Sequence, residues 1–287
     1  MRPNESGSDQ RLVDSAPMLD IGGLHKSFVV DDEERKILAD INVSVARREF
    51  LAVVGASGCG KSTLIRIVAG LESATSGEIK VEGNAVSAPG PERGMVFQQF
   101  SLFPWLTVKE NVMFGLSSQG HSRSSCEEIA LQWVNLVGLS DYASYLPSQL
   151  SGGMQQRVAI ARALAPSPKL LLMDEPFAAL DPHTRSRMQN YLIEIWRNVD
   201  VTVVFVTHDL EEAILLADRV LVLAPNPGRV VTTFEPGLSR HEAGRDRYHP
   251  DFVTALKTLQ ELTNSCAEDD EPGLDMMRLT RVDDVVG

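Results

Sequence analysis

The chain has 287 residues, of which 43% are hydrophobic and 23% are charged, a composition typical of a soluble globular protein. These values exclude collagen-like, coiled-coil and disordered classes for the chain as a whole. The net charge of −12 argues against a general nucleic-acid binder, because such binding depends on Lys and Arg side chains that neutralise phosphates. No uncharged apolar stretch reaches about 18 residues, so we expect no transmembrane helix.

Both ends of the chain are polar. Residues 1–17 lack the apolar run of a signal peptide, and we expect a flexible N-terminus there. Residues 264–287 contain seven acidic side chains against two arginines, which predicts a solvated, poorly ordered tail. The three cysteines are too widely spaced for a disulfide framework or a zinc site. We therefore expect the protein to be located in the reducing cytoplasm. The cysteines are Cys59, Cys126 and Cys266.

Short apolar runs predict a series of strands. Residues 41–45 alternate between apolar and polar side chains, which is typical of a half-buried strand. Residues 50–54 are continuously apolar, which predicts a strand buried on both faces. Further apolar runs lie at residues 94–97, 170–173, 201–207 and 220–223.

Helical patterns separate these runs. Residues 61–69 predict a helix that ends at Gly70. Apolar residues spaced by three or four predict two further helices, around Trp133 and Trp196. Since strands alternate with helices, we expect an α/β fold whose parallel sheet is covered on both sides. Residues 107–165 carry helical patterns without a clear strand and predict a helical insertion.

A glycine-rich loop follows the predicted strand at residues 50–54. Residues 55–62 match the phosphate-loop pattern G-x-x-x-x-G-K-[ST] in full, between a strand and a helix. Glycines allow backbone N–H groups to surround phosphate oxygens, and the helix N-terminus adds positive potential. We expect Lys61 to contact the β- and γ-phosphates of ATP and the Ser62 hydroxyl to bind Mg²⁺. The predicted ATP-binding residues of this segment are Gly55, Ala56, Ser57, Gly58, Cys59, Gly60, Lys61, Ser62 and Thr63.

Two acidic residues follow the apolar run at residues 170–173. Asp174 and Glu175 stand at the carboxyl end of a predicted strand, where open α/β sheets bind ligands. In combination with the phosphate loop, Asp174 is expected to hold Mg²⁺, directly or through water. Glu175 is expected to orient or deprotonate the attacking water. The sequence therefore predicts a site that hydrolyses a nucleoside triphosphate.

Residues 150–156, Leu-Ser-Gly-Gly-Met-Gln-Gln, resemble the signature motif of the ATP-binding cassette (ABC) ATPases. The order of the motifs is also similar: phosphate loop, Gln98, signature, the two acidic residues and His208. The resemblance implies a RecA-like ATPase core with a mostly parallel sheet, an antiparallel β portion near the N-terminus and a helical signature subdomain. It divides the chain into residues 1–17, an ABC ATPase domain at 18–240 with its helical subdomain at about 99–165, and a C-terminal extension at 241–287.

The resemblance also implies individual roles. Gln98 is similar to the Q-loop glutamine, which contacts Mg²⁺ and the attacking water. The alternative is that its neighbour Gln99 is the Q-loop residue. His208 is similar to the switch histidine, which reaches the γ-phosphate. Phe28 stands where the family stacks an aromatic ring on adenine, with core packing as the alternative.

Members of this family pair head to tail, with two ATP molecules between two such domains. The resemblance therefore implies a second ABC ATPase subunit, identical or different. Ser151, Gly152 and Gly153 would then contact ATP bound to the opposite subunit, and their position at a helix start supplies N–H donors for that purpose. Asp181 is similar to the D-loop aspartate at the dimer interface.

The chain resembles a separate transporter ATPase that docks onto two integral membrane permease subunits at the cytoplasmic face of the bacterial inner membrane. A periplasmic or surface substrate-binding protein would act indirectly. Phe103, Trp105 and Leu106 follow Gln98 in sequence. They are expected to form an apolar groove for the permease, or else to pack inside the helical insertion.

Three segments are similar to the ATPases of bacterial nitrate, sulfonate and taurine importers: residues 91–98, 174–181 and 225–229. This similarity implies import of a small anion or a sulfonate-like solute, whose identity other subunits determine. The alternatives are a non-import ABC system, for export or lipid transfer, and a soluble ABC ATPase outside transport. The family usually has glycine where this chain has Arg48, and this departure predicts an altered turn.

Overall fold

The computed structural model of the protein describes residues 16–238 and 246–265. The predicted flexible residues before 16 and the acidic residues after 265 lie outside the described residues. The strands are β1 (Leu19–Val30), β2 (Glu33–Val45), β3 (Phe50–Gly55), β4 (Ser76–Val81), β5 (Asn84–Ala85), β6 (Arg93–Val96), β7 (Leu170–Asp174), β8 (Thr202–Val206), β9 (Arg219–Ala224) and β10 (Arg229–Phe234). The helices are α1 (Lys61–Val68), α2 (Val108–Ser118), α3 (Arg123–Leu136), α4 (Gly152–Leu164), α5 (Pro182–Asn198), α6 (Leu210–Leu216) and α7 (Pro250–Asn264).

Four strands form an antiparallel sheet in the order β2-β1-β4-β5. The alternating residues 41–45 belong to β2, where Ile41, Val43 and Val45 are buried and the polar residues between them are exposed. The apolar pattern did not reveal β1, whose strand is interrupted by register shifts. This sheet is the antiparallel portion near the N-terminus that the family resemblance implies.

Six strands form the second sheet, in the order β10-β9-β3-β8-β7-β6. The neighbours from β9 to β6 are parallel, and β10 adds an antiparallel strand at one edge. Every residue from Phe50 to Val54 in the central strand β3 is buried, as its continuous apolar sequence predicts. The predicted α/β class with a mostly parallel sheet is confirmed.

Helices cover both faces of the large sheet, and β3 contributes alternate residues to the two sides. On one face, Phe50 packs edge to face against Trp196 of α5, with ring centroids 5.5 Å apart. Phe252 of α7 belongs to the same core. On the opposite face, Leu51 and Val53 pack with α1 and the small sheet.

The stretch 107–165 contains α2, α3 and α4, and none of its residues is in a strand. The Thr107 hydroxyl accepts a hydrogen bond from the Glu110 backbone N–H, while the Glu110 carboxylate accepts from the Thr107 N–H, which fixes the start of α2. The three helices share a core of their own around Val112, Val134 and Val158. Among the helices of residues 16–238 and 246–265, none has both the length and the apolar composition needed to cross a bilayer.

Arg48 lies in the turn between β2 and β3 with a φ of +59°, a left-handed conformation that glycine adopts more easily. Its backbone N–H donates to Thr202 Oγ1 at 2.9 Å, and its Nε lies 3.7 Å from the Asp200 carboxylate. These contacts tie the turn to the start of β8. The arginine thus takes up the backbone conformation expected of glycine.

Replacement of Phe252 by alanine tests whether α7 is part of the core. Phe252 is fully buried against the large sheet, so Phe252→Ala is expected to lower the free energy of unfolding by about 3 kcal/mol, through lost transfer energy and the cavity left behind. Val253→Ala, on the exposed side of the same helix, is the matched control and should lower it by less than about 1 kcal/mol. Urea denaturation of both variants gives the comparison, and equal effects would contradict the buried position of Phe252.

Candidate active site

Three parallel strands end at one edge of the large sheet and bring the predicted polar residues together there. β8 lies between β3 and β7, and Val206 is paired with Val53 on one side and with Asp174 on the other. The loops that follow these strands therefore start at the same level. Residues that are far apart in the sequence meet at this edge, which is where open α/β sheets bind ligands.

The phosphate loop joins β3 to α1. Gly60 precedes α1 with a φ of +93°, and a Cβ at this position would lie 2.6 Å from Leu38 Cδ2, so the site requires glycine. The residues from Ala56 to Gly58 are exposed, whereas Cys59 is fully buried. Burial raises the pKa of the Cys59 thiol, although the nearby Lys61 ammonium opposes the shift. Cys59 is therefore a buried, neutral thiol rather than a reactive thiolate.

Lys61 is buried at the first position of α1, with 6% of its surface exposed. Its Nζ donates to the carbonyl oxygens of Gly55 at 2.8 Å and Ala56 at 2.9 Å. Both acceptors belong to the phosphate loop, so the positive charge lies against the backbone of that loop. A buried ammonium beside the exposed loop residues 56–58 is chemically suited to an anion such as phosphate.

Ser62 and Asp174 are joined across the sheet edge. The Ser62 hydroxyl donates to Asp174 Oδ1 at 2.9 Å. Burial raises the pKa of the Asp174 carboxyl, and the hydrogen bond from Ser62 opposes this shift. The contact brings a hydroxyl and a carboxylate, two oxygen ligands of the kind that hard divalent cations prefer, into one place.

Glu175 and His208 form a second pair at the same edge. Glu175 has a φ of +43°, and its N–H donates to the Val206 carbonyl at 2.9 Å, which supports a conformation that is uncommon outside glycine. Its Oε2 lies 2.9 Å from Nδ1 of His208, whose ring is largely exposed. Because an ionised carboxylate can only accept, Nδ1 carries the proton in this contact. The pair combines a proton acceptor with a group that holds it in place.

The signature residues lie at the start of α4 in the helical part of the protein. Ser151 is exposed, and its hydroxyl accepts from the Met154 N–H at 3.4 Å. Gly153 is buried against α5, since a Cβ there would lie 2.5 Å from Thr184 Cγ2. A cleft of about 170 Å³ lies beside Ser151, and none of the residues that line it belongs to the phosphate loop. This cleft therefore lies between α4 and α5 and includes no part of the phosphate loop.

Asp181 begins α5. Its carboxylate accepts a hydrogen bond from the Thr184 N–H at 3.0 Å, and the Thr184 contacts lower the pKa of Asp181. The side chain is thus an ionised helix cap close to the signature, since Thr184 also contacts Gly153.

Gln98 and Phe28 lie at the margins of the site. Gln98 follows β6 and is exposed, and none of the hydrogen bonds found in the described part of the chain joins it to Ser62 or Asp174. Phe28, on β1, is 37% exposed, and the buried Lys26 ammonium lies 4.3 Å from its ring centroid. One face of the Phe28 ring is therefore covered by a cation, and the ring is not a fully buried core residue.

Gly228 adjoins the phosphate loop, a role that the sequence analysis does not assign to it. Its N–H donates to the Ile37 carbonyl at 2.8 Å, and its own carbonyl accepts from the Ala39 N–H at 2.9 Å. A Cβ at Gly228 would lie 2.1 Å from the Cys59 carbonyl oxygen. The turn between β9 and β10 thus packs directly against the loop backbone. The only sequence signal is a glycine after two prolines, which predicts a turn but not its neighbour.

Comparison with known proteins decides the family. The model of the ABC transporter family matches residues 38–178. The chain is 50% identical to the nitrate import ATP-binding protein of a Synechocystis species, over 74% of this chain and 80% of that protein. It is 49% identical to the taurine import ATP-binding protein of Rhizobium johnstonii, over 78% of this chain and 88% of that protein. The chain belongs to the ABC transporter family.

A solved structure supports the same assignment. The ATP-binding cassette MJ0796, in a dimeric post-hydrolysis state bound to ADP and Pi, superposes with a TM-score of 0.68. It is 33% identical and covers 76% of this chain and 98% of its own. The chain described here is therefore an ABC ATPase that binds ATP. The predicted fold and activity are confirmed.

Removal of the Lys61 ammonium tests the phosphate loop of this ABC ATPase. Lys61→Ala is expected to weaken ATP binding at least about tenfold, because a charge-assisted contact with phosphate oxygens is lost. Arg66→Ala removes a positive charge from the exposed side of the same helix and should leave the affinity within about twofold. Titration calorimetry with ATP compares the two variants. An unchanged affinity in Lys61→Ala would contradict the proposed contact.

Proposed function

We propose that this ABC ATPase energises import of a small anion or a sulfonate-like solute, of the nitrate or taurine kind, through separate membrane permease subunits. The hydrolytic part of the proposal rests on the 2.9 Å contact between Glu175 and His208 at the strand edge that also carries the phosphate loop. The import part rests on the nitrate and taurine import ATP-binding proteins, which are about half identical to this chain.

The residues at the strand edge fit a magnesium ion. Ser62 and Asp174 supply a hydroxyl and a carboxylate oxygen 2.9 Å apart, and Mg²⁺ sites in such enzymes use one or two carboxylates together with phosphate oxygens. Gln98 would add an amide oxygen. When bound, Mg²⁺ neutralises negative charge on the phosphates of ATP.

In the proposed hydrolysis, the chain positions ATP and removes a proton from water. Lys61 and the loop N–H groups hold the β- and γ-phosphates. Glu175 accepts the proton of the attacking water, and the Nδ1–H of His208 holds the carboxylate in position. Nε2 of His208 takes no part in that contact, and on a protonated ring it would donate to a γ-phosphate oxygen. Phe28 offers its exposed ring edge and face to the adenine.

The site is completed by a second ABC ATPase subunit. Ser151 and Gly153 line a cleft between α4 and α5 to which no phosphate-loop residue contributes. Their hydroxyl and helix-start N–H groups are suited to the γ-phosphate of ATP on the opposite subunit. Asp181, next to the signature through Thr184, would lie at the same interface.

The permease docks beside the segment that follows Gln98. Trp105 is 71% exposed, and its ring packs against Phe103, with centroids 5.7 Å apart. Phe103 in turn contacts Phe114 at 4.4 Å, on one side of a groove of about 620 Å³. Exposed aromatic side chains at a groove are typical of anchoring positions in protein interfaces. Docking there would hold the ATPase at the cytoplasmic face of the bacterial inner membrane.

Substitution of Glu175 tests the proposed base. Glu175→Gln keeps the shape of the side chain but removes its ability to accept a proton, so kcat is expected to fall at least about a hundredfold with ATP binding retained. Phosphate release and ATP titration are measured on the same preparation. Glu78→Gln removes an exposed carboxylate from β4 and serves as the control. Near-normal turnover in Glu175→Gln would show that another group is the base.

Substitution of Trp105 tests the permease surface. Trp105→Ala is expected to leave the ATPase rate of the isolated subunit within about twofold, because the ring is exposed and its aromatic contact is with Phe103 rather than with a residue of the strand edge. In vesicles with the permease subunits, uptake of labelled taurine or nitrate per ATP should fall at least about tenfold. Leu131→Ala, another exposed apolar residue of the helical part, is the control. Unchanged assembly and uptake would remove Trp105 from the interface.

A further inference from the structure

The backbone around His208 is closed into a tight turn by the residue before it. The Thr207 hydroxyl accepts a hydrogen bond from the Asp209 N–H at 3.0 Å, so this contact spans His208. The Thr207 backbone N–H donates to the Val53 carbonyl in β3 at 3.2 Å. Thr207 is buried, whereas the His208 ring projects outward. The position of His208 therefore depends on how the Thr207 side chain is held.

The Thr207 hydroxyl is held by Glu212, a carboxylate buried in the protein with 4% of its surface exposed. Thr207 Oγ1 donates to Glu212 Oε2 at 2.7 Å, and Gln189 Nε2 donates to Glu212 Oε1 at 2.9 Å. Each carboxylate oxygen thus accepts from one side chain. A buried carboxylate is costly unless such donors surround it, so Glu212 depends on both of these contacts.

Arg247 fixes the direction of this chain of hydrogen bonds. Its Nη2 donates to Gln189 Oε1 at 2.7 Å. Because a guanidinium can only donate, the Gln189 amide must present its oxygen to Arg247 and its NH₂ group to Glu212. Arg247 precedes α7, so the chain of contacts runs from the C-terminal extension to the turn that carries His208.

Other charged groups face the same carboxylate. Arg185 Nε lies 4.0 Å from Glu212 Oε1, and a second nitrogen of Arg185 lies 3.7 Å from the Asp209 carboxylate. Arg185 also donates to the Leu180 carbonyl, at the start of the segment that leads to α5. Burial raises the pKa of Glu212, while the Thr207 and Gln189 donors oppose that shift.

We infer that Glu212 is a positioning residue for ATP hydrolysis, which sets His208 against Glu175 through the Thr207 hydroxyl and is itself oriented by Gln189 and Arg247. The inference rests on the proposed role of His208. It gives the C-terminal extension a function at the catalytic edge, since Arg247 belongs to that extension. The exposed Glu194 of α5, the helix that carries Gln189, takes no part in the hydrogen bonds of Thr207, Glu212 and Arg247 and provides the contrast.

The test begins with Glu212→Gln, which keeps the shape but leaves only one accepting oxygen for two donors. We expect kcat to fall about tenfold, since one hydrogen bond to a charged group is lost, and the KM for ATP to stay within about twofold. Glu194→Gln removes the same charge from the exposed side of α5 and should stay within about twofold in both constants.

A reciprocal exchange supplies the rescue. In Gln189→Glu with Glu212→Gln, the new residue 212 can accept from Thr207 and donate to the new carboxylate at 189, which still accepts from Arg247. The donors of Thr207, Arg247 and the new amide at 212 then each have an acceptor, and the net charge is unchanged. We expect kcat to return to within about threefold of the original value. A double variant no faster than Glu212→Gln would overturn the inference.

Two further variants separate positioning from folding and from the role of His208. Thr207→Ser keeps the hydroxyl and should keep kcat, whereas Thr207→Val removes it and should lower kcat about tenfold, which tests the relay if Glu212→Gln does not fold. His208→Ala is measured beside them. If His208→Ala abolishes turnover while Glu212→Gln and Thr207→Val retain it, the relay is wrong. If His208→Ala retains turnover, the proposed role of His208 is wrong and the relay falls with it.

Discussion

The shared end of β3, β8 and β7 is the constraint on which the whole candidate site depends. Because Val206 is paired with Val53 on one side and Asp174 on the other, three loops leave the sheet at one level. Ser62 reaches Asp174 and Glu175 reaches His208 only because of this register. A slip by one residue in a strand reverses the faces of all its side chains, so it would separate both pairs and move the apolar residues out of the core.

Three buried charged side chains lie at or next to this edge of the sheet. Lys61, Asp174 and Glu212 are each less than a tenth exposed, and each is held by hydrogen bonds with the backbone or with polar side chains. A protein selected only for stability would gain by replacing such groups with apolar ones. These groups hold or position the residues of the proposed ATP site, whereas the apolar layers on both sides of β3 form the core.

The sequence predicted the strands at the sheet centre, because their apolar runs are continuous, and it predicted the phosphate loop, the acidic pair and the signature from fixed spacings. It did not predict β1, whose apolar pattern is broken by register shifts, or the antiparallel strand β10. Contacts between distant segments were equally hidden. The contact of Gly228 with Cys59 and the hydrogen bond of Arg247 to Gln189 depend on how separate elements pack. No local pattern in the sequence predicts such contacts.

The central place of β3 has a consequence for how the chain folds during synthesis. Both of its neighbours, β8 and β9, lie more than a hundred residues later in the sequence, so this strand has no partner until residues 202–224 have left the ribosome. Such long-range pairing is slow, and unpaired apolar strands are prone to aggregate. The nascent chain therefore carries its phosphate loop on a strand without either sheet neighbour until β8 and β9 have been synthesised, so the nucleotide site can be completed only after that point.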